Sequence, residues 1–208
     1  MALPPRPHFT GADPATLAFY RDEAPVYTAS GPGGASRHLG AFLDRLPPGA
    51  RILELGCGGG RDSEAMLTRG FDVDCTDGVP EIARQAEARL GCPVRVMQFD
   101  ELDADQVYDA VWAHACLLHV PRPALSGVLA RIRRALTPGG LHFANFKGGG
   151  AEGRDRFGRY FNYLDAAELE QLYGGPEWDI LAVEEHLGGG YDGRQGPWTA
   201  ITVRKSSR

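Results

Sequence analysis

No run of apolar residues in this 208-residue chain approaches the ~20 that a membrane-crossing helix needs. A transmembrane protein is excluded on that reading. The opening MALPPRPHFT has no charged stretch followed by an apolar one, so no secretory leader is expected. The four cysteines, Cys57, Cys75, Cys92 and Cys116, include no CxxC pair, the spacing typical of a metal clip or a redox couple. They are expected as reduced thiols in a cytoplasmic protein that binds no metal. Positive charge is scarce as well. Lys and Arg number 22 against 27 Asp and Glu, a net charge of −5, which ill suits the broad basic footprint required by nucleic acid or an anionic membrane. A small-molecule partner is what remains.

Glycine, by contrast, is in excess: 28 residues, about twice the roughly 7% share of an average protein. The clusters at 31–34, 56–60, 148–150 and 188–190 follow no period, so they mark connections rather than repeats. Between them the apolar pattern switches repeatedly between period two and the helical period. Short helices are predicted over 13–20 and 35–46, the second halted by Pro47-Pro48-Gly49. A strand over 50–55, a helix over 60–69, a strand over 71–76, a helix over 79–90 and a strand over 93–98 follow. A fourth strand spans 108–115, a helix 124–136 and a fifth strand 141–146, with Thr137-Pro-Gly-Gly140 as the turn before it. A short helix over 165–173 and two strands, 180–186 and 198–204, end the chain with no helix between the strands. The fold class is therefore α/β: a Rossmann-like, doubly wound, mostly parallel seven-stranded sheet with helices on both faces and an antiparallel C-terminal strand.

In such a sheet a ligand lies beyond the carboxyl ends of the strands, where strand order reverses, and the first strand-to-helix loop sits there. That loop is Glu54-Leu-Gly-Cys-Gly-Gly-Gly60. Gly56, Gly58 and Gly60 would let main chain approach a ligand and turn into a helix whose free N–H groups attract an anion. A tight packing turn is the other reading. Asp77 ends the second strand 21 residues after Gly56, near the ~20-residue spacing of an acid that accepts hydrogen bonds from ribose hydroxyls. It could equally cap the helix that follows. Asp74 lies on the other parity of the strand and is the weaker candidate.

With these motifs the sequence resembles the class I S-adenosylmethionine-dependent methyltransferases of the small-molecule type, over roughly residues 35–204. The matching features are an acid two residues before Gly-x-Gly-x-Gly, Asp77, Phe99-Asp100 after the third strand, Tyr108-Asp-Ala-Val-Trp-Ala-His114 as the fourth, Leu117-Leu-His-Val120 after it, and Leu136-Thr-Pro-Gly-Gly-Leu141. The resemblance implies S-adenosyl-L-methionine as cofactor. It divides a single methyltransferase domain, 1–208, into an N-terminal arm and lid over 1–34, a cofactor-binding core over 35–146, and a substrate-side loop with C-terminal strands over 147–208. It places Gly56, Cys57, Gly58 and Gly60 under the methionine part, with Glu54 steadying the loop or meeting the amino group through it. Asp77 and the adjoining Gly78 take the ribose, Phe99 and Asp100 bracket adenine, and His114 and Ala115 approach the methionine end. Tyr20 and Tyr27 resemble paired tyrosines that precede the core in several such enzymes.

The expected activity is an in-line methyl transfer to a small-molecule acceptor by a cytoplasmic monomer or homodimer, without membrane or nucleic acid. His114 and His119 flank the end of the fourth strand and are the catalytic candidates, with orientation or packing as the alternative. Lys147, Arg154, Arg159 and Tyr160 in KGGGAEGRDRFGRY are the acceptor-binding candidates and suit an anionic or polar acceptor, unless the run is only a solvated loop. The Asn/Asp-Pro-Pro-Tyr signature of DNA amino-group methylation is absent, and no Pro-Cys nucleophile follows the fourth strand. A noncatalytic cofactor-binding protein and a nicotinamide oxidoreductase stay open as alternatives.

Overall fold

In the strand Arg51–Leu55, β1, side chains alternate between two faces, as a pleated backbone requires. Leu53 and Leu55 enter one buried cluster and Ile52 another. The same division runs through Tyr108–Ala113, β4, where Val111 and Ala113 join the first cluster and Ala110 and Trp112 the second. Both faces of these strands are covered, which is why they read as near-continuous apolar runs.

The structure is a computed structural model that describes residues 11–30 and 33–207. The expected arm thus falls partly outside the described residues. Seven strands form the main sheet. β2 is Asp72–Asp77, β3 Arg95–Val96 and β5 Leu136–Lys147; a small pair, β6 at Gly153–Arg154 and β7 at Tyr160–Phe161, lies apart; β8 is Trp178–Gly188 and β9 Gly196–Lys205. The order is β3-β2-β1-β4-β5-β9-β8. β1 to β5 run parallel, whereas β9 is antiparallel to both β5 and β8. Strand order reverses beside β1, so the loop after β1 opens at the switch point.

Helices close the faces. α6, Arg122–Ala135, buries Leu125, Val128, Leu129 and Ile132 at helical spacing against the first cluster. α3, Leu39–Leu43, buries Leu39, Phe42 and Leu43 with Met66 of α4, Arg61–Thr68, on the opposite face. α5, Pro80–Leu90, starts with proline in its first turn and ends at Gly91 in the left-handed region, at φ 66°. α7 is Ala166–Tyr173, opened by an Asp165–Glu168 capping box. Two helices precede the sheet: α1, Pro14–Asp22, whose N-cap Asp13 accepts from the Thr16 amide, and α2, Ala24–Ala29.

Three expectations change in detail. The helix over 35–46 contracts to α3, and α2 was not anticipated. β3 keeps only two ladder residues, although the Met97 amide still donates to the Asp77 carbonyl. The Thr137–Gly140 segment is an irregularity inside β5 rather than a turn before it, since Leu136 already pairs with Tyr108 and the register shifts before Ala110. Among the described residues no helix is long and apolar enough to cross a membrane.

A buried polar tie locks the Trp112 face. Asp62 accepts from the Ser36 amide at 2.7 Å, the Ser36 hydroxyl at 2.6 Å and the Trp112 indole N–H at 2.9 Å. Asp62→Ala strands the buried indole donor and the Ser36 amide, and is expected to destabilise the fold by about 3 kcal/mol. Urea unfolding should show a lower midpoint with an unchanged slope; a midpoint equal to the wild type would refute the tie.

Candidate active site

The loop after β1 is bare for two separate reasons. Gly56 sits at φ 66°, and a Cβ there would lie 2.6 Å from the Cys116 Cβ, so both backbone and neighbour demand glycine. Gly58, at φ 56°, turns its N–H onto Asp77 Oδ2 at 3.0 Å. The other oxygen of Asp77 accepts from the Val79 amide at 2.9 Å. One carboxylate at the end of β2 therefore fastens the glycine loop and also shapes the entry to α5. Burial pushes its pKa up to about 6 against the pull of those two amides.

Beside this tie is a cavity open to solvent. Gly56 and Gly58 form one wall, and Asp77 and Gly78 the next. Val79, Ile82, Met97 and Phe99 supply apolar lining. His114, Ala115, Cys116 and His119, from the end of β4 and the turn after it, line it as well. Leu17, Tyr20 and Tyr27, from the two leading helices, form part of the cover. The Tyr20 and Tyr27 rings meet edge to face at 4.8 Å.

Of the residues singled out from sequence, the cavity brings together Tyr20, Tyr27, Gly56, Gly58, Asp77, Gly78, Phe99, His114, Ala115 and His119. Four others lie behind the lining. Glu54 points with Ile52 toward the α4 side, where it accepts the Ser63 hydroxyl; burial, then the charge of Asp62, push its pKa up to about 8. Cys57 is buried with its amide on the Thr76 carbonyl, and burial pushes its thiol up. Gly60 is the left-handed cap of α4, packed toward Leu90. Asp100 is carried away from the cavity by the 3₁₀ turn Phe99–Glu101.

Gln98, not singled out from sequence, lines the cavity in that segment, its Nε2 donating to the Gly78 carbonyl at 2.6 Å. The signal that would have found it is the 3₁₀ capping pair of Gln98 and Glu101, which fixes where the strand ends.

None of the four acceptor-binding candidates lines this cavity, and each has a partner within the chain. Arg154 grips Asp13 through two nitrogens at 2.7 and 2.9 Å. Arg159 is bonded to Asp155 and Tyr20. Lys147 lies 3.7 Å from Asp192, and the Tyr160 hydroxyl donates to Glu152 at 2.7 Å. The β6–β7 hairpin meets α1 through Arg154 on Asp13 and the Tyr160 amide on the Thr16 hydroxyl.

His114 stacks nearly parallel to Trp112, at 7° and 6.0 Å, and burial holds its pKa down at about 4. His119 is bonded at both nitrogens, to the Tyr20 hydroxyl and to the Tyr160 carbonyl.

The strand order and the loop at the switch point define a class I S-adenosylmethionine-dependent methyltransferase fold. Residues 52–140 match the family model described as a methyltransferase domain. A ubiquinone biosynthesis O-methyltransferase of Xanthomonas campestris pv. campestris (strain B100) is 38% identical over 103 residues, which is 46% of this chain and 42% of the relative. The chain thus spans less than half the length of that curated relative. Among solved structures, a SAM-dependent methyltransferase from Methanosarcina mazei superposes with a TM-score of 0.74 at 19% identity, over 85% of this chain and 100% of that one. The Burkholderia thailandensis 1,6-didemethyltoxoflavin-N1-methyltransferase, solved with that substrate and S-adenosylhomocysteine bound, gives 0.67 at 24% identity, over 82% and 77%.

Glu54 makes a pH dependence testable. Its folded pKa lies above the ordinary 4.5, so the native state holds the proton more tightly than the unfolded chain. The stability this gives is full below about 4.5 and is lost as pH rises toward about 8. Glu54→Gln is expected to remove that decline, read as a flatter unfolding free energy between pH 5 and 8. An equal slope in both proteins would contradict it.

Proposed function

We propose that this protein is an S-adenosylmethionine-dependent methyltransferase acting on a small-molecule acceptor. One observation carries the reading: a single cavity sets side-chain-free main chain at Gly56 and Gly58 beside the buried Asp77 carboxylate, together with the apolar side chains of Val79, Ile82, Met97 and Phe99. The donor set fits the cofactor. Val79, Ile82, Met97 and Phe99 would enclose a flat base, with Gln98 beside them as its polar partner. Asp77 would accept from the two ribose hydroxyls. The glycine wall would lie along the amino-acid tail, and the rings of Tyr20 and Tyr27 suit a sulfonium, since aromatic faces attract cations.

Bound there, the cofactor supplies an electrophilic methyl group on positively charged sulfur. The chain's contribution is alignment and exclusion of water. Holding an acceptor in line can supply about 7–11 kcal/mol of the barrier reduction. The leading helices provide the cover by laying Leu17, Tyr20 and Tyr27 over the strand ends. The comparisons support the same activity: the Xanthomonas relative is named an O-methyltransferase, and the Burkholderia structure holds S-adenosylhomocysteine. Four unpaired cysteines accord with a cytoplasmic setting.

Calorimetry with S-adenosylhomocysteine, S-adenosylmethionine and NAD tests the reading. The first two are expected to bind and NAD not to. Asp77→Ala should weaken S-adenosylhomocysteine by about 30-fold, the loss of roughly 2 kcal/mol of charge-assisted hydrogen bonding. Binding of NAD alone, or undiminished affinity in the variant, would overturn the assignment.

A further inference from the structure

Hydrogen-bond chemistry fixes every proton around His119. The ring Nδ1 lies 2.6 Å from the Tyr160 carbonyl oxygen, which can only accept, so Nδ1 carries the proton. Nε2 is then the acceptor in the neutral ring. The Tyr20 oxygen lies 2.8 Å from it and itself receives the Arg159 Nη1–H at 2.9 Å, so the phenol proton points at Nε2. Arg159 is held in turn by two contacts to Asp155 Oδ2, at 2.7 and 2.9 Å. Its guanidinium is enclosed by Phe19, Tyr20, Phe157, Phe161 and Tyr191, all with ring centroids 4.8–5.5 Å from Cζ. An ion that is 2% exposed and fixed on so many sides is not available to a substrate. It orients the phenol.

Tyr20 and His119 both line the cavity, and the Tyr20 ring also packs against Val79 and Ile82. Resting on the methyltransferase reading above, we propose that Tyr20 and His119 form the proton-accepting unit of the active site, positioned by Arg159 and Asp155, and that the acceptor is a molecule methylated at an ionisable O–H or N–H. In the step, an electron pair on the acceptor oxygen or nitrogen forms the new bond to the methyl carbon, and the methyl–sulfur pair stays on sulfur. The acceptor's proton passes to the Tyr20 oxygen while the Tyr20 proton passes to His119 Nε2, and the imidazolium later releases it to water. Tertiary amines and thioethers have no proton to lose and would draw nothing from this arrangement.

The charged surroundings suit the role. His119 faces Arg159 and Lys147, which disfavour its protonation, and Asp155, which favours it; burial dominates and holds the pKa down at about 4. The ring therefore stays neutral and able to accept at ordinary pH. Burial and the neighbouring Tyr27 push the Tyr20 phenol well above its usual value, so it keeps its proton until one is exchanged.

The test has a spectroscopic and a kinetic arm. In ¹⁵N-labelled protein saturated with S-adenosylhomocysteine at pH 7, His119 is expected as the neutral tautomer protonated on Nδ1. Tyr20→Phe should shift the Nε2 resonance and leave Nδ1 in place, and Arg159→Gln should raise the pH at which the ring titrates. A ring protonated on Nε2, or an Nε2 resonance unmoved by Y20F, overturns the proposal. In radiolabelled transfer from S-adenosylmethionine to phenols and N–H heteroaromatics, each paired with its fully methylated counterpart, Y20F should lower kcat about 100-fold with the cofactor KM unchanged. Wild-type kcat in Y20F, or turnover of the methylated counterparts alone, also overturns it. Failure to bind S-adenosylhomocysteine at all would instead strike the underlying methyltransferase reading, and calorimetry detects that separately.

Discussion

The Asp77 carboxylate is the constraint on which the site depends. It lies at the last residue of β2, buried, and receives the amides of Gly58 and Val79 through its two oxygens. Those two bonds set the path of the glycine loop and the entry into α5 at once, so the walls of the cavity are placed by one group. A buried carboxylate is expensive without donors. The amides that shape the loop are what make this one tolerable, and its raised pKa records the remaining cost of burial.

Around that tie the molecule assembles its cover from distant segments. Asp13 caps α1 and also takes both nitrogens of Arg154, while the Thr16 hydroxyl accepts the Tyr160 amide at 2.8 Å. The hairpin after β5 thereby holds the leading helix over the cavity. Arginine suits the post, because its planar fork matches a carboxylate in two places and its face lies comfortably on aromatic rings. Two of the cations expected as acceptor ligands, Arg154 and Arg159, are ion-paired in this assembly, to Asp13 and Asp155.

Much of the architecture was legible in the sequence because it follows from periodicity. Residues 51–55 and 108–113 had to be strands buried on both faces, and Leu125, Val128, Leu129 and Ile132 had to be one helical stripe. Gly56 and Asp77, which line the cavity, stood out in the sequence because main-chain approach and an acid at a strand end restrict residue type strongly. Asp100 lies outside the cavity lining for a physical reason: a 3₁₀ turn rotates successive side chains by about a third of a circle, and β3 ends at Val96, two residues before the expected 98, which leaves Gln98 at the lining. The partners of Lys147, Arg154, Arg159 and Tyr160 were not legible, because a polar side chain is visible in a sequence whereas the group it meets is not.

The sequence by itself determined the alternation of strands and helices, the glycine loop and the acid that answers it, since each rests on local rules of backbone conformation and side-chain spacing. Only the tertiary structure decided which charges face one another, which proton His119 carries, and that Tyr20 and Arg159, 139 residues apart, meet over one cavity. Such pairings depend on the packing of distant elements, and local spacing contains no information about them.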